Sequence, residues 1–99
     1  MKGRLHPDAD AEFADAVRYY SEIDPDLGVR FYREIERLIR DVCAHPEHFR
    51  KFDPPARRHI SAEFPYAVIY REKADHVWIV VVMHMKRRPG YWKERLDCG

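Results

Sequence analysis

The dipeptide Asp24-Pro25 constrains this chain more than any other feature of it. Apolar residues recur at helical spacing on both sides: Phe13, Ala16, Val17 and Tyr20 before it, Leu27, Phe31, Ile35, Leu38 and Val42 after it. An aspartate is a good helix cap and proline suits the first helical position, so one helix should end near Ile23 and another start at once. The first is expected to begin at Asp8 as N-cap, with Asp10 and Glu12 at the positive end of the dipole. The second should stop at His45-Pro46. With so short a joint the helices must run antiparallel, and Tyr19 and Tyr20 would lie in the contact between them. Such a hairpin has one apolar face that needs a sheet to cover it.

The second half supplies one. Met1 to Leu5 reads as an edge strand, and Glu47 to Ala56, with Pro54-Pro55, as a loop. From Arg57 to Glu63 polar and apolar residues alternate loosely. Tyr66 to Arg71 and His76 to Met83 are rich in β-branched and aromatic residues and read as strands joined by a turn over Glu72 to Asp75. With Arg71 opposite His76, strand parity puts Tyr66, Val68, Tyr70, Val77, Ile79, Val81 and Met83 on the face towards the helices. The other face then carries Ala67, Ile69, Arg71, His76, Trp78, Val80, Val82 and His84. Tyr91 to Leu96 should form a short terminal helix, anchored on the sheet by Tyr91 and Trp92. The expectation is an α+β domain spanning 1–99, a small antiparallel sheet with the helical hairpin on one face, in the order β-α-α-β-β-β plus the terminal helix.

Composition narrows the function. The apolar run VWIVVVM is too short to span a membrane and MKGRLHPDADAEF lacks the apolar core of a signal peptide, so a cytoplasmic protein with no membrane partner is expected. Cys43 and Cys98 lie far apart without metal-type spacing and read as reduced spectators. Pro46 breaks the helical spacing of His45 and His48, and there is no glycine-rich phosphate loop, CxxC pair or serine triad, so neither metal nor cofactor is expected. The net charge of +1 conceals an asymmetry: residues 1–49 carry 7 Lys/Arg against 11 Asp/Glu, and residues 50–99 carry 11 against 6. The basic half should face an anionic partner.

Five segments, in this order, carry a resemblance: EFADAVRYY, PDLGVRFYREIERLI, CAHPEHF, FPYAVIYR and MHMKRRPGYW. Together they resemble the RelE/ParE superfamily, the toxins of bacterial toxin-antitoxin pairs, and lean to its ParE-like branch. The resemblance implies a cognate antitoxin that wraps the toxin as an extended, partly helical segment. It also implies one of two activities. RelE-like members cleave mRNA in the ribosomal A site, and ParE-like members act on DNA gyrase.

Metal-independent RNA cleavage needs a base, an acid and cations over the phosphate. In the RelE pattern an arginine follows the tyrosine of the strand motif, and Ala67 stands there instead. Arg57, Arg58 and His59 fall near the lysines of the preceding strand, but arginine does not act as a base. For a nuclease the remaining set would be His84 as base or acid, Arg71 and Arg87 on the phosphate, and Tyr91. For a protein that only binds, the contact surface would comprise Arg57, Arg58, Ile69, Trp78, Lys86, Arg87 and Arg88, since Trp78 is a large apolar residue on a mixed face. The ParE-like gyrase inhibitor leads; a ribosome-dependent endonuclease and an inactive binding module of the same fold are the alternatives. A homodimer is one arrangement the sequence allows.

Overall fold

A computed structural model of the chain describes residues 1–98. The helical hairpin forms as expected: α1 spans Pro7–Ile23 and α2 spans Pro25–Ala44. Asp24 serves both helices, because its N–H donates to Tyr20 O at 3.0 Å while its Oδ1 accepts from Asp26 N at 2.9 Å. Helix α1 starts earlier than its aspartates suggest. Pro7 takes the first helical position and His6 is the cap, its Nδ1 accepting from Asp8 N. The helices cross closely at Gly28, where a Cβ would lie 1.9 Å from Ser21 Oγ. Tyr20 joins an aromatic cluster with Phe31, Phe64 and Tyr66, whereas Tyr19, expected beside it, is 61% exposed.

The sheet has the order β1-β5-β4-β3-β2, with β1 Lys2–Leu5, β2 Arg50–Lys51, β3 Arg57–Ile60, β4 Tyr66–Glu72 and β5 His76–His84. Strands β2 to β5 form an antiparallel meander, and β1 adds a parallel edge to β5 after the crossover through both helices. The two-residue β2 lies inside the segment read as loop; Arg50 and Lys51 pair with Arg58 and Arg57. A buried Glu34 ties α2 to the turn after β3, accepting from Ser61 Oγ at 2.6 Å and from the Arg37 Nε at 2.8 Å. Those bonds, the arginine's above all, hold its carboxyl below the usual carboxylate range.

One irregularity resets the site. Arg71 faces Trp78 rather than His76, which keeps parity at that end, but Tyr70 faces Ile79 while Ile69 faces Val81. Val80 is therefore an extra residue in β5, a bulge that puts Val80 and Val81 on the same side. Beyond it the expected faces are exchanged: Val82 joins the helix-side core with Val68, Tyr70, Val77 and Ile79. Val81 and Met83 join Ile69, Trp78 and Val80 on the opposite side.

That opposite side is not open. The C-terminal segment, ending in a short 3₁₀ helix over Lys93–Asp97, folds across it and buries Trp92 and Leu96 against the sheet. The chain thus has three layers, and β5 is buried on both faces along nearly its whole length. Trp78, expected as an exposed contact, is 6% exposed and donates its Nε1–H to Arg95 O at 2.7 Å. Ile69 is fully buried. Their apolar surface is spent on the chain's own tail, which corrects the expected contact map. Among the described residues no helix is long and apolar enough to cross a membrane.

Candidate functional site

The segment after β5 turns sharply and rims two hollows that share Arg87. The turn is built by His84, whose carbonyl accepts from Arg87 N and whose Nδ1 accepts from Lys86 N, both at 3.0 Å. The first hollow, about 290 Å³, lies between α1 and the end of β5, where the exchanged parity has carried His84. Its neighbours are Glu12, Asp15, Tyr19 and Tyr66, and the His84 ring stands edge-on to Tyr66 at 5.3 Å. A histidine among carboxylates is poorly placed to receive a phosphate, because the like charges of carboxylate and phosphate repel.

Glu12 is the hub of this region. Its carboxylate accepts from Tyr91 Oη at 3.0 Å, from both terminal nitrogens of Arg95 at 3.0 and 3.2 Å, and from Val82 N at 3.4 Å. Arg95 also donates to Val80 O at 2.9 Å. Strand β1 stops at Leu5, so β5 beyond Ile79 would be an unpaired edge, and this pair of side chains occupies it. Sequence reasoning read Glu12 only as a helix-dipole residue. Its partners lie up to 83 residues away, and nothing local points to them.

Tyr91 is consequently a latch. Burial, and then the Glu12 charge, push its pKa up to about 12; burial does the same to Tyr70, whose hydroxyl donates to Pro46 O. Both values exceed the tyrosine value of about 10 expected in the unfolded chain. Their contribution to stability is therefore complete below about pH 10 and lost as pH rises towards about 12, on the order of 2 kcal/mol for each. Urea midpoints measured at about pH 9 and about pH 11.5 should fall with pH, and Tyr70→Phe should flatten the fall; an unchanged slope in that variant would count against it.

The nuclease set does not converge. Arg71 donates to Asp97 Oδ1 at 3.0 Å and to Leu96 O, pinning the tail. It lies opposite Trp78 and His84 lies opposite Tyr66, so about 16 Å of strand separates them at ~3.3 Å per residue. Arg57 points to the helix side and donates to the carbonyls of Glu47 and Phe49, so it closes the loop after α2 rather than presenting charge. His59 meets Asp41 at 3.0 Å on the same side.

Two of the remaining basic residues, Arg58 and Arg87, do come together, on the sheet face away from the helices. The second hollow, about 240 Å³, is lined by Phe52, Met85 and Pro89 around a covered base of Ala67, Ile69, Met83 and Trp92, with Arg58 and Arg87 at its lips. The Arg58 guanidinium lies 4.1 Å from the centre of the Phe52 ring and that of Arg87 lies 4.3 Å from Tyr91. Lys86 and Arg88 are exposed beside them. A larger groove, about 680 Å³, runs between α1 and α2 past Phe13, Val17, Tyr32 and Ile39, far from this basic cluster.

Known proteins can be set against this geometry. No curated protein matches the chain. A chain of the chromosomal ParDE TA system from P. aeruginosa superposes with a TM-score of 0.74 at 16% identity, covering 85% of this chain and 95% of that one. At that identity the likeness is one of fold. The profile of the family described as the ParE toxin of the type II toxin-antitoxin system parDE matches residues 4–89, from within β1 through the turn that carries Arg87 and Arg88. The chain belongs to the family of ParE toxins of type II toxin-antitoxin systems.

Proposed function

We propose that this ParE-type toxin works in the cytoplasm by binding DNA gyrase without a chemical step, and that a cognate antitoxin neutralises it. The observation that carries the reading is the dispersal of the groups a nuclease would need. His84 builds a turn beside carboxylates, Arg71 is tied to Asp97, and Tyr91 is latched to Glu12. Cationic side chains gathered over an apolar floor, by contrast, suit a protein surface. An antitoxin partner fits the family and the ParDE system with which the fold superposes.

Two assays run side by side decide between mechanisms. Purified protein should inhibit gyrase supercoiling, and mRNA on programmed ribosomes should show no new 5′ ends. New ends that vanish in His84→Ala would replace this reading with that of a ribosome-dependent endonuclease. Silence in both assays, with no growth arrest on expression, would leave an inactive binding module.

A further inference from the structure

The hollow between Arg58 and Arg87 has the makings of a specificity pocket. Strand pairing sets Arg58 beside Ile69, and Ile60 beside Ala67 beside Met83, so one face of the sheet carries a cationic and an apolar row side by side. The accessible apolar lining comes from Met85, Phe52 and Pro89, over a base of Ala67, Ile69 and Trp92 that is already covered. The apolar row runs out of the hollow into solvent, where Ile60 is 44% and Met85 37% exposed.

The charge beside it is uncompensated. Among the described residues Arg58, Lys86, Arg87 and Arg88 form no ion pair, as is also true of Lys2, Arg4, Arg33, Arg40, Arg50, Lys51, Arg57 and Lys73; what sets Arg58 and Arg87 apart is that they share one hollow. Arg58 and Arg87 are nevertheless held in place, because Phe52 and Tyr91 stack against their planar faces. Stacking restrains a guanidinium while leaving its N–H edge free for a carboxylate, so little further entropy is lost on binding.

From this juxtaposition we infer that the pocket receives one apolar side chain of an acidic peptide segment of a partner protein, with flanking carboxylates on Arg58 and Arg87. A nucleobase is the poorer fit. A base would need an open aromatic face to stack on, and here Arg58 covers Phe52, Arg87 covers Tyr91 and Trp92 is 1% exposed. A leucine or methionine needs no such face. The inference deepens the reading of a toxin that acts and is neutralised through protein contacts, and it names the chemistry those contacts require.

The test uses a capped, glutamate-rich decapeptide with one central leucine, titrated into the full ¹⁵N-labelled chain. Amide shifts should concentrate at Arg58, Ala67, Met83, Met85 and Arg87, and binding should weaken as salt is raised. Changing the peptide's leucine to alanine should weaken binding by about tenfold or more, as expected for losing a buried leucine. Met85→Ala, which removes exposed apolar lining, should act in the same direction. The variants Arg58→Glu and Arg87→Glu provide a second route; each should lose at least about tenfold in affinity with an unchanged melting curve. Equal binding of the leucine and alanine peptides, or shifts centred elsewhere, would overturn the pocket. Tighter binding of an oligouridylate at the same residues would make it a nucleic-acid surface instead. A dimer dissolved by Arg58→Glu would make the occupant a second copy of this chain. Leucine-dependent binding without any effect on gyrase would sink the functional reading and leave this one standing, and gyrase inhibition without such binding would do the reverse.

Discussion

Trp92→Ala should lower the melting temperature by about 12 °C or more, the largest single effect expected on this fold. Trp92 is 1% exposed and sits among Ile69, Trp78, Val81, Met83 and Leu96, with Phe52 at 6.0 Å. Truncating a buried tryptophan costs about 3–5 kcal/mol, and in a domain of this size each kcal/mol is worth about 4–8 °C. Against a total stability of about 5–15 kcal/mol the loss is severe. It should also be local in origin, because Trp92 is the main apolar anchor of the C-terminal layer. Once that layer loosens, the buried Ile69 and Trp78 face water, so dye binding to exposed apolar surface should rise before the helical signal falls. Trp92→Phe should retain most of the stability. A shift of only a few degrees in the alanine variant would mean that the tail contributes little to the second core.

What the sequence disclosed, and what it hid, divides along physical lines. Asp24-Pro25 fixed the helical hairpin because capping is local: the side chain and the N–H groups it serves lie within two residues. The two long strands were legible for the same reason. Their phase was not, because the bulge falls at Val80 within a run of valines that any parity satisfies. No polar residue marks where the alternation slips, and His84 and Val82 were assigned to the wrong face in consequence. Trp78 looked unpartnered because its partner is the backbone of Arg95, 17 residues on, in a segment whose docking depends on tertiary packing. The basic tail was readable as composition. That Arg58 and Arg87 flank one hollow, while Arg57 next in line does not reach it, depends on which way each strand residue points.

Glu12→Ala should destabilise the protein by about 3 kcal/mol, since removing one member of a largely buried ion pair strands the other. The Arg95 side chain is 14% exposed and that of Glu12 16%, so little water can replace the lost carboxylate. Arg95 would keep its bond to Val80 O and a looser 3.9 Å contact with Asp8, and both the Tyr91 hydroxyl and Val82 N would lose an acceptor. The defect should unzip the edge of β5 beyond Ile79, where these two side chains stand in for a neighbouring strand. Amide exchange at Val82 should quicken accordingly. Restoring partial balance by removing the other charge is the discriminating step. In a cycle of Glu12→Leu, Arg95→Met and the double variant, the double change should cost about 1–3 kcal/mol less than the sum of the singles. Additivity within about 0.5 kcal/mol would show that the two residues do not act as a pair. Because Tyr91 is held by Glu12 and in turn supports the Arg87 guanidinium, the double variant should also weaken the leucine peptide, even where stability has recovered. Stability and recognition would then be separated in one molecule, with the same carboxylate serving the fold directly and the pocket through the tyrosine it latches.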